Sequence, residues 1–319
     1  MKKKRNIKKI VFYIIAFYLA FQILIPNYSN TSIIYEEEIK NAEENTSTKY
    51  DIIINDSNNT SNKDETKPKE NLTVHFIDVG QGDAIFVELP NNETMLIDAG
   101  ESSKEKVVFN YIKKYESKYI DYLIGTHPHA DHIGSLAYII NNFDIGKIYM
   151  PKAISTTRTY ENLLTTILNK KLKVNRAKAG VNILDSDNLK INIIAPNKEN
   201  YSDLNDFSAV IEITYCNNKF LFMGDAGIEI ENELTKNLKA DVIKIGHHGS
   251  NTSSSQSFVN KVQAKYAIIT VGNKNKYNHP YEEIIERWKN IGAKIYRTDL
   301  NGNIIVTSDG NKIEITTEK

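Results

Sequence analysis

The chain has 319 residues, with 40 basic and 40 acidic side chains and an apolar share of 40%. That is enough for one large domain or two small ones with a sizeable core. Zero formal net charge gives no global basic footprint for nucleic acid, and a single cysteine, Cys216, excludes a disulfide scaffold.

The first seventy residues differ from the rest. Residues 2 to 9 carry Lys2, Lys3, Lys4, Arg5, Lys8 and Lys9, and no side chain from Ile10 to Pro26 is charged. As a helix this segment would be about 25 Å long, slightly short of a bilayer core but sufficient with flanking residues or local thinning. A buried soluble helix fits less well, because apolar residues surround the whole circumference and a cationic flank abuts it. A cleaved secretory signal and an uncleaved anchor are the two membrane readings. No small-x-small cleavage pattern stands out from Phe21 to Ser32, which favours the anchor. The positive-inside rule then predicts a cytoplasmic tail over 1–9, a single transmembrane segment over 10–26 and the remainder outside the cell; cleavage would yield a secreted protein. Residues 27–70 are rich in Asn, Ser, Thr, Glu, Lys and Asp, and bury too little apolar surface to offset the entropy of ordering. They are expected to form a flexible linker to a globular domain over 71–319.

Within that domain short apolar runs alternate with amphipathic segments. Strands are predicted at Leu72–Asp78, Ala84–Leu89, Thr94–Asp98, Tyr119–Gly125, Lys147–Met150, Leu189–Ile194, Ala209–Tyr215, Lys219–Met223, Asp241–Ile245, Lys265–Val271, Lys294–Arg297, Asn303–Thr307 and Lys312–Thr316. Helices are predicted at Lys104–Tyr115, Gly134–Asn142, Tyr160–Lys170, Ile228–Leu238 and Tyr281–Asn290, the last with Ile284, Ile285 and Trp288 on one face. Hairpin-like strands and crossover helices together imply an α/β fold of two mixed sheets packed between helices.

The chemistry collects at strand ends. The run Thr126-His127-Pro128-His129-Ala130-Asp131-His132-Ile133-Gly134 holds three of the seven histidines and a carboxylate within six positions. Such groups repel when charged and need partners when buried, whereas neutral imidazoles and a carboxylate are ready ligands for a divalent ion. Upstream lie Asp78-Val79-Gly80-Gln81-Gly82-Asp83 and Ile97-Asp98-Ala99-Gly100, where glycines beside acids allow sharp turns that present polar groups. Downstream, Phe222-Met223-Gly224-Asp225 ends a strand on a carboxylate, and Ile245-Gly246-His247-His248-Gly249-Ser250 ends another on two histidines. Adjacent strand-end histidines are seldom both core residues, because neighbours point to opposite faces. His279 precedes Pro280 before the last helix. Only His75 reads as an ordinary strand residue.

These motifs resemble the metallo-β-lactamase superfamily, whose H-x-H-x-D-H signature matches His127, His129, Asp131 and His132. The Asp-Val-Gly-Gln-Gly-Asp turn, the His-His-Gly-Ser segment and the Asn-His-Pro segment are similar to the metallo-hydrolase domain of ComEC-type competence proteins. The resemblance covers about residues 72 to 307 and implies an αβ/βα four-layer sandwich with two divalent ions, zinc or manganese, at one edge between the sheets. It places His127 and His129 on the first ion, Asp131 and His132 on the second, and Asp225 between them. His247 would complete the second site and His248 would face substrate. Asp98 would orient the ligand loop, with Asp78, Gln81, Asp83 and Ser250 around the site. Many members place a further histidine between His132 and His247. None occurs here, and Asn205, Asp206 and Ser208 are the nearest substitutes, as the Asn/Asp-x-x-Ser pattern of the ComEC-type branch suggests.

Two such ions would activate a water and neutralise charge developing on a substrate oxygen. Asp131 would orient that water, and His248 and His279 would hold a phosphate oxygen or protonate the leaving group. The resemblance favours a membrane-tethered extracellular phosphodiesterase or nuclease-like hydrolase. A hydrolase of C–O or C–N bonds in a lactone, lactam or wall-polymer ester is the second reading, and a metal-binding module docking on a cell-surface partner without turnover the third. Residues 71–319 hold 29 basic and 30 acidic side chains, so a nucleic-acid footprint would rest on a local patch such as Lys244, Lys274, Lys276 and Arg297. Oligomeric state is not legible in the chain.

Overall fold

The computed structural model describes residues 71–235 and 237–319, so the expected cytoplasmic tail, membrane segment and linker lie outside the described residues. No helix among the described residues is long and apolar enough to cross a membrane.

Alternating apolar residues form the first strands, β1 (Leu72–Phe76), β2 (Ala84–Glu88) and β3 (Thr94–Ala99), which pair antiparallel. A helix, α1 (Glu105–Lys113), then crosses to β4 (Tyr119–Ile124), parallel to β3. After two short helices, α2 (Ala130–Ile133) and α3 (Leu136–Asn142), the chain adds β5 (Asp144–Met150), α4 (Arg158–Asn169) and β6 (Val174–Arg176), with both strands parallel to β4. Thr157 caps α4 through Tyr160 N, and α4 buries Leu163, Leu164 and Ile167. The second sheet begins with antiparallel β7 (Val181–Asp185), β8 (Leu189–Ala195), β9 (Val210–Tyr215) and β10 (Asn218–Phe222). It continues in parallel through α5 (Ile228–Glu233), β11 (Val242–Lys244), α6 (Gln256–Val262), β12 (Tyr266–Ile269), α7 (Glu282–Asn290) and β13 (Lys294–Arg297). A final turn of helix, α8 (Thr298–Asn301), returns the chain to the first sheet as the hairpin β14 (Ile304–Ser308) and β15 (Ile313–Thr317).

The eight-stranded sheet has the order β15-β14-β1-β2-β3-β4-β5-β6, and the seven-stranded sheet β13-β12-β11-β10-β9-β8-β7. Their inner faces share one core that includes Phe76, Ile97, Ile124, Ile211, Phe222 and Ile268. The outer face of the first sheet packs on α1, α3 and α4 through Val108, Ile139 and Leu163, and that of the second on α5, α6 and α7 through Ile230, Phe258 and Trp288. This is the α/β, αβ/βα sandwich expected from the motifs. The sequence pattern misses β6, β7 and α6. Because β1, β3, β4, β10, β11 and β12 all run the same way along their sheets, their C-terminal ends meet at one edge, and the acid and histidine clusters lie at or after those ends.

Candidate metal centre

Asp98, the penultimate residue of β3, is fully buried and left-handed (φ 56°). This conformation, uncommon outside glycine, aims its carboxylate at the loop after β4. It accepts hydrogen bonds from Thr126 N at 2.8 Å and Thr126 Oγ1 at 2.6 Å, and its Oδ2 lies 2.7 Å from His132 Nδ1. With the Thr126 hydroxyl proton committed to Asp98, His127 Nδ1 donates to Thr126 Oγ1 at 3.1 Å. One carboxylate thereby anchors the Nδ1 side of two histidines, directing Nε2 of both His127 and His132 toward the edge.

The turn Asp78–Asp83 closes over this loop. Asp83 N donates to Asp131 O at 3.1 Å, and Gly82 sits at φ 122° with room for no side chain, since a Cβ would fall 2.1 Å from Asp131 O. Gly82→Ala is expected to lower stability by about 1–3 kcal/mol, because strain in φ adds to a clash with backbone. Denaturation by urea measures this, and an unchanged midpoint would show that the turn yields without cost.

From the second sheet, β10 leads through Met223 and Gly224 to Asp225, whose amide donates to Ser208 Oγ at 3.0 Å. Its Oδ1 lies 3.2 Å from His132 Nε2 and 3.5 Å from His248 Nε2, and its Oδ2 lies 3.8 Å from both His127 Nε2 and His247 Nε2. A single carboxylate therefore stands among four imidazoles. The two histidines after β11 occupy consecutive left-handed positions, φ 49° and 53°, a strained arrangement that turns adjacent side chains toward one edge. His248 Nδ1 donates to Thr270 O at 2.8 Å, freeing Nε2, which lies 3.6 Å from Asp131 Oδ2.

Three ligand-spaced groups result: His127, His132 and Asp225; Asp131, His132 and His248; and Asp83, Asp98 and His132. Of the two adjacent histidines, His248 rather than the expected His247 falls at ligand spacing with Asp131 and His132. His248, fully buried, joins Asp131 and His132, whereas His247 keeps 23% of its side chain exposed and binds Thr252 Oγ1 through Nδ1 at 2.9 Å. Neighbours in sequence cannot reveal which of two left-handed residues points inward. His129 Nδ1 lies 3.0 Å from His127 Nε2. Of the three residues expected to replace the missing histidine, Ser208 reaches His127 Nδ1 at 3.4 Å, Asp206 instead accepts from Gly227 N at 3.1 Å, and Asn205 Oδ1 is buried without a partner. Asp78 caps Gly80 N at 3.1 Å, Gln81 Oε1 accepts from Gly272 N at 3.3 Å, and Ser250 Oγ accepts from Thr252.

Sequence reasoning placed Lys244 in a surface basic patch, and the structure corrects this. Lys244 is fully buried in β11, with Nζ 2.6 Å from Asp83 Oδ2, 2.7 Å from Gly224 O and 3.7 Å from Asp225 Oδ1. Its three protons thus have three acceptors nearby, which is what burial of an ammonium requires. Asp83 also accepts from Thr270 Oγ1. Arg297 pairs with Asp299 at 2.7 Å. Strand alternation at a three-residue strand gives no sign of this inward lysine; the apolar residues on both sides, Ile243 and Ile245, are the signal that could have found it.

Electrostatics poise the cluster for cations. Burial would raise Asp225, but His132, His248 and Lys244 outweigh it and hold the carboxyl well below its usual range. Burial likewise opposes ionisation of Asp131, and the adjacent His248 ring and the charge of His132 overcome it. Burial, then His132, drives His127 well below the usual imidazole value. Burial disfavours charge on His132 too, yet Asp225 and Asp98 hold it well above that value. Deprotonated carboxylates and neutral imidazoles are the forms that bind metal, and the proton on His132 marks where a cation would replace it. His132 Nε2, Asp225 Oδ1 and His248 Nε2 are all buried without a hydrogen-bond partner while facing one another. Orphaned donors and acceptors at ligand spacing are costly unless a cation satisfies them, so the residues present fit divalent metal, and the nitrogen and oxygen donor set suits zinc or manganese.

Residues 77–189 match the family model described as the metallo-beta-lactamase superfamily. The chain is 30% identical over 251 residues to ComE operon protein 3 of Bacillus subtilis, covering 72% of this chain and 32% of that protein. It is 27% identical over 247 residues to competence protein ComA of Neisseria gonorrhoeae, covering 76% and 33%. The chain thus spans about a third of the length of these curated relatives. The metallo-beta-lactamase fold protein YhfI of Bacillus subtilis shares the fold, with a TM-score of 0.50 at 11% identity over 74% of this chain and 100% of that one.

Proposed function

We propose, because the chain belongs to the metallo-beta-lactamase superfamily and is a metal-dependent hydrolase, that it hydrolyses phosphodiester bonds at a centre of two divalent ions. The supporting observation is the convergence of unpartnered His132 Nε2, Asp225 Oδ1 and His248 Nε2 on one point at the sheet edge. His127 and His129 would hold one ion, Asp131, His132 and His248 the other, and Asp225 would lie between them. Bound there, the ions would acidify water and offset negative charge developing on the phosphate. Zinc and manganese both suit these ligands.

The protein's own residues do the rest. Asp98 fixes the His132 ring directly at Nδ1 and the His127 ring by way of Thr126 Oγ1, so that loss of its carboxylate would disorder ligands of both ions. Asp131, ionised and partly exposed, accepts a proton-bearing group next to His248. His279 sits at the rim, its ring 5.4 Å from that of His247, with Nδ1 buried and unpartnered. Burial and the neighbouring His247 and His248 push it down to about 4. At neutral pH it is uncharged, which suits donating a hydrogen bond to a phosphate oxygen and does not suit delivering a proton to the leaving group.

The likeness to competence proteins favours a phosphodiester over a lactone, lactam or wall-polymer ester, and the segment over 10–26 supports a membrane-tethered protein with its catalytic domain outside the cell. The purified chain, loaded with manganese or zinc, is expected to cleave bis(p-nitrophenyl) phosphate and to lose that activity to a chelator. Turnover confined to nitrocefin or lactones would sink the phosphodiester assignment. Tight metal binding with no turnover of any of these would point to a docking module.

A further inference from the structure

The end of the first sheet remote from the metal centre is basic. Lys113 at the close of α1, Lys118 before β4 and Lys170 after α4 line a hollow of about 280 Å³ with Asn141, Asn142, Phe143 and Asp144. Lys114, Lys171 and Lys173 extend the same turns, and all six lysines are exposed. None of the six has a carboxylate within ion-pair distance among the described residues. Glu116 and Asp144 are the exposed acids of these turns, so positive charge predominates. Lys113 and Lys170 lie at helix C-termini, where carbonyl groups favour a cation, but Lys118 and Lys173 lie outside any helix.

Topology sets this end against the catalytic edge. The hollow lies at the first residues of β4 and β5, where Tyr119 pairs with Asp144, while the histidine loop follows the last residue of β4. About 20 Å of strand separates the two. The register also places the beginning of β1 at the basic end: Thr73 pairs with Glu88, and Glu88 with Thr94, the first residue of β3. Residues 1–70 therefore join the domain on the basic side, roughly 20 Å across the sheet from β5.

We propose that this basic end docks on the anionic lipid headgroups of the membrane carrying the N-terminal segment, so that the metal centre faces away from the bilayer. The inference rests on the membrane-anchor reading of residues 10–26. Each lysine near an anionic surface strengthens binding by about fivefold, and the acids subtract from that. An anchored domain needs little more, because the composition of 27–70 predicts a coil of roughly 35 Å reach, which keeps the surface at high effective concentration. A soluble polyanion would match the charge equally well, but nothing would then place the patch beside the chain's junction with the membrane segment.

The test uses the full chain in vesicles of phosphatidylcholine, alone or with phosphatidylglycerol. A donor dye is placed at Asn142→Cys in a Cys216→Ser background, or at Lys276→Cys beside the catalytic edge, and energy transfer to a headgroup acceptor is read. In anionic vesicles, transfer from position 142 should exceed that from 276. The difference should vanish in neutral vesicles, in high salt, and in the Lys113→Gln/Lys118→Gln/Lys170→Gln variant. Flotation with vesicles but equal transfer from both positions overturns the docking and leaves the anchor. Salt-reversible flotation confined to anionic vesicles overturns the anchor and leaves the docking, and failure to float with either overturns both.

Discussion

Asp225→Ala is expected to lose at least about 100-fold in affinity for manganese or zinc, and with it measurable hydrolysis. Replacing a residue that merely orients a ligand typically costs 10- to 100-fold, and Asp225 faces more of the cluster than any such residue. Its two oxygens stand within 3.8 Å of His127, His132, His247 and His248. Without it, the ligand-spaced group of His127, His132 and Asp225 is broken, and the group of Asp131, His132 and His248 loses the carboxylate that faces two of its members. The metal-free protein should suffer as well, because Asp225 is the carboxylate facing Nε2 of the charged His132 ring and a neighbour of the buried Lys244 ammonium. Asp225→Asn separates the effects: it keeps the shape and one oxygen, and should recover stability more than metal affinity. Metal content by elemental analysis and affinity by calorimetry provide the readout. Unchanged stoichiometry and rate in Asp225→Ala would mean that the ions, or the reaction, lie elsewhere.

Much of this site was legible because its chemistry follows strands whose apolar runs announce themselves. Ile120 to Ile124 and Lys219 to Phe222 are strands by pattern, and the polar residues that follow fall at the same sheet edge once their direction is known. The inward turn of particular side chains was not legible. His247 and His248 adopt left-handed backbone that reverses which of them faces in, and Lys244 looks like a surface charge until Asp83, more than a hundred residues earlier, is placed beside it. β6 and β7 escaped notice for another reason. One has only three residues, and the other is largely half-exposed with a register shift between Asn182 and Leu184, so neither shows strict alternation.

The buried lysine is where that hidden pairing has its largest effect on stability. Lys244→Met should destabilise the protein by about 3–5 kcal/mol, the range for removing one partner of a buried ion pair and stranding the other. Methionine fills nearly the same space, so the loss would reflect charge and hydrogen bonding more than a cavity. Asp83, 1% exposed, would keep Thr270 as a donor but lose its one ammonium partner among the described residues, and Gly224 O would lose the donor at 2.7 Å and keep His247 N at 3.1 Å. Adding Asp83→Asn to Lys244→Met removes the stranded charge, so the double variant should be more stable than the single. A double-mutant cycle in urea should then give a coupling of about 2 kcal/mol or more. Metal affinity supplies the second readout, since the same ammonium stands 3.7 Å from Asp225 Oδ1. In the double variant, removal of a fixed positive charge beside Asp225 should tighten metal binding, while removal of the Asp83 carboxylate offsets part of the gain. A loss below about 1 kcal/mol in Lys244→Met would show that water reaches the ammonium and that Asp83 does not depend on it.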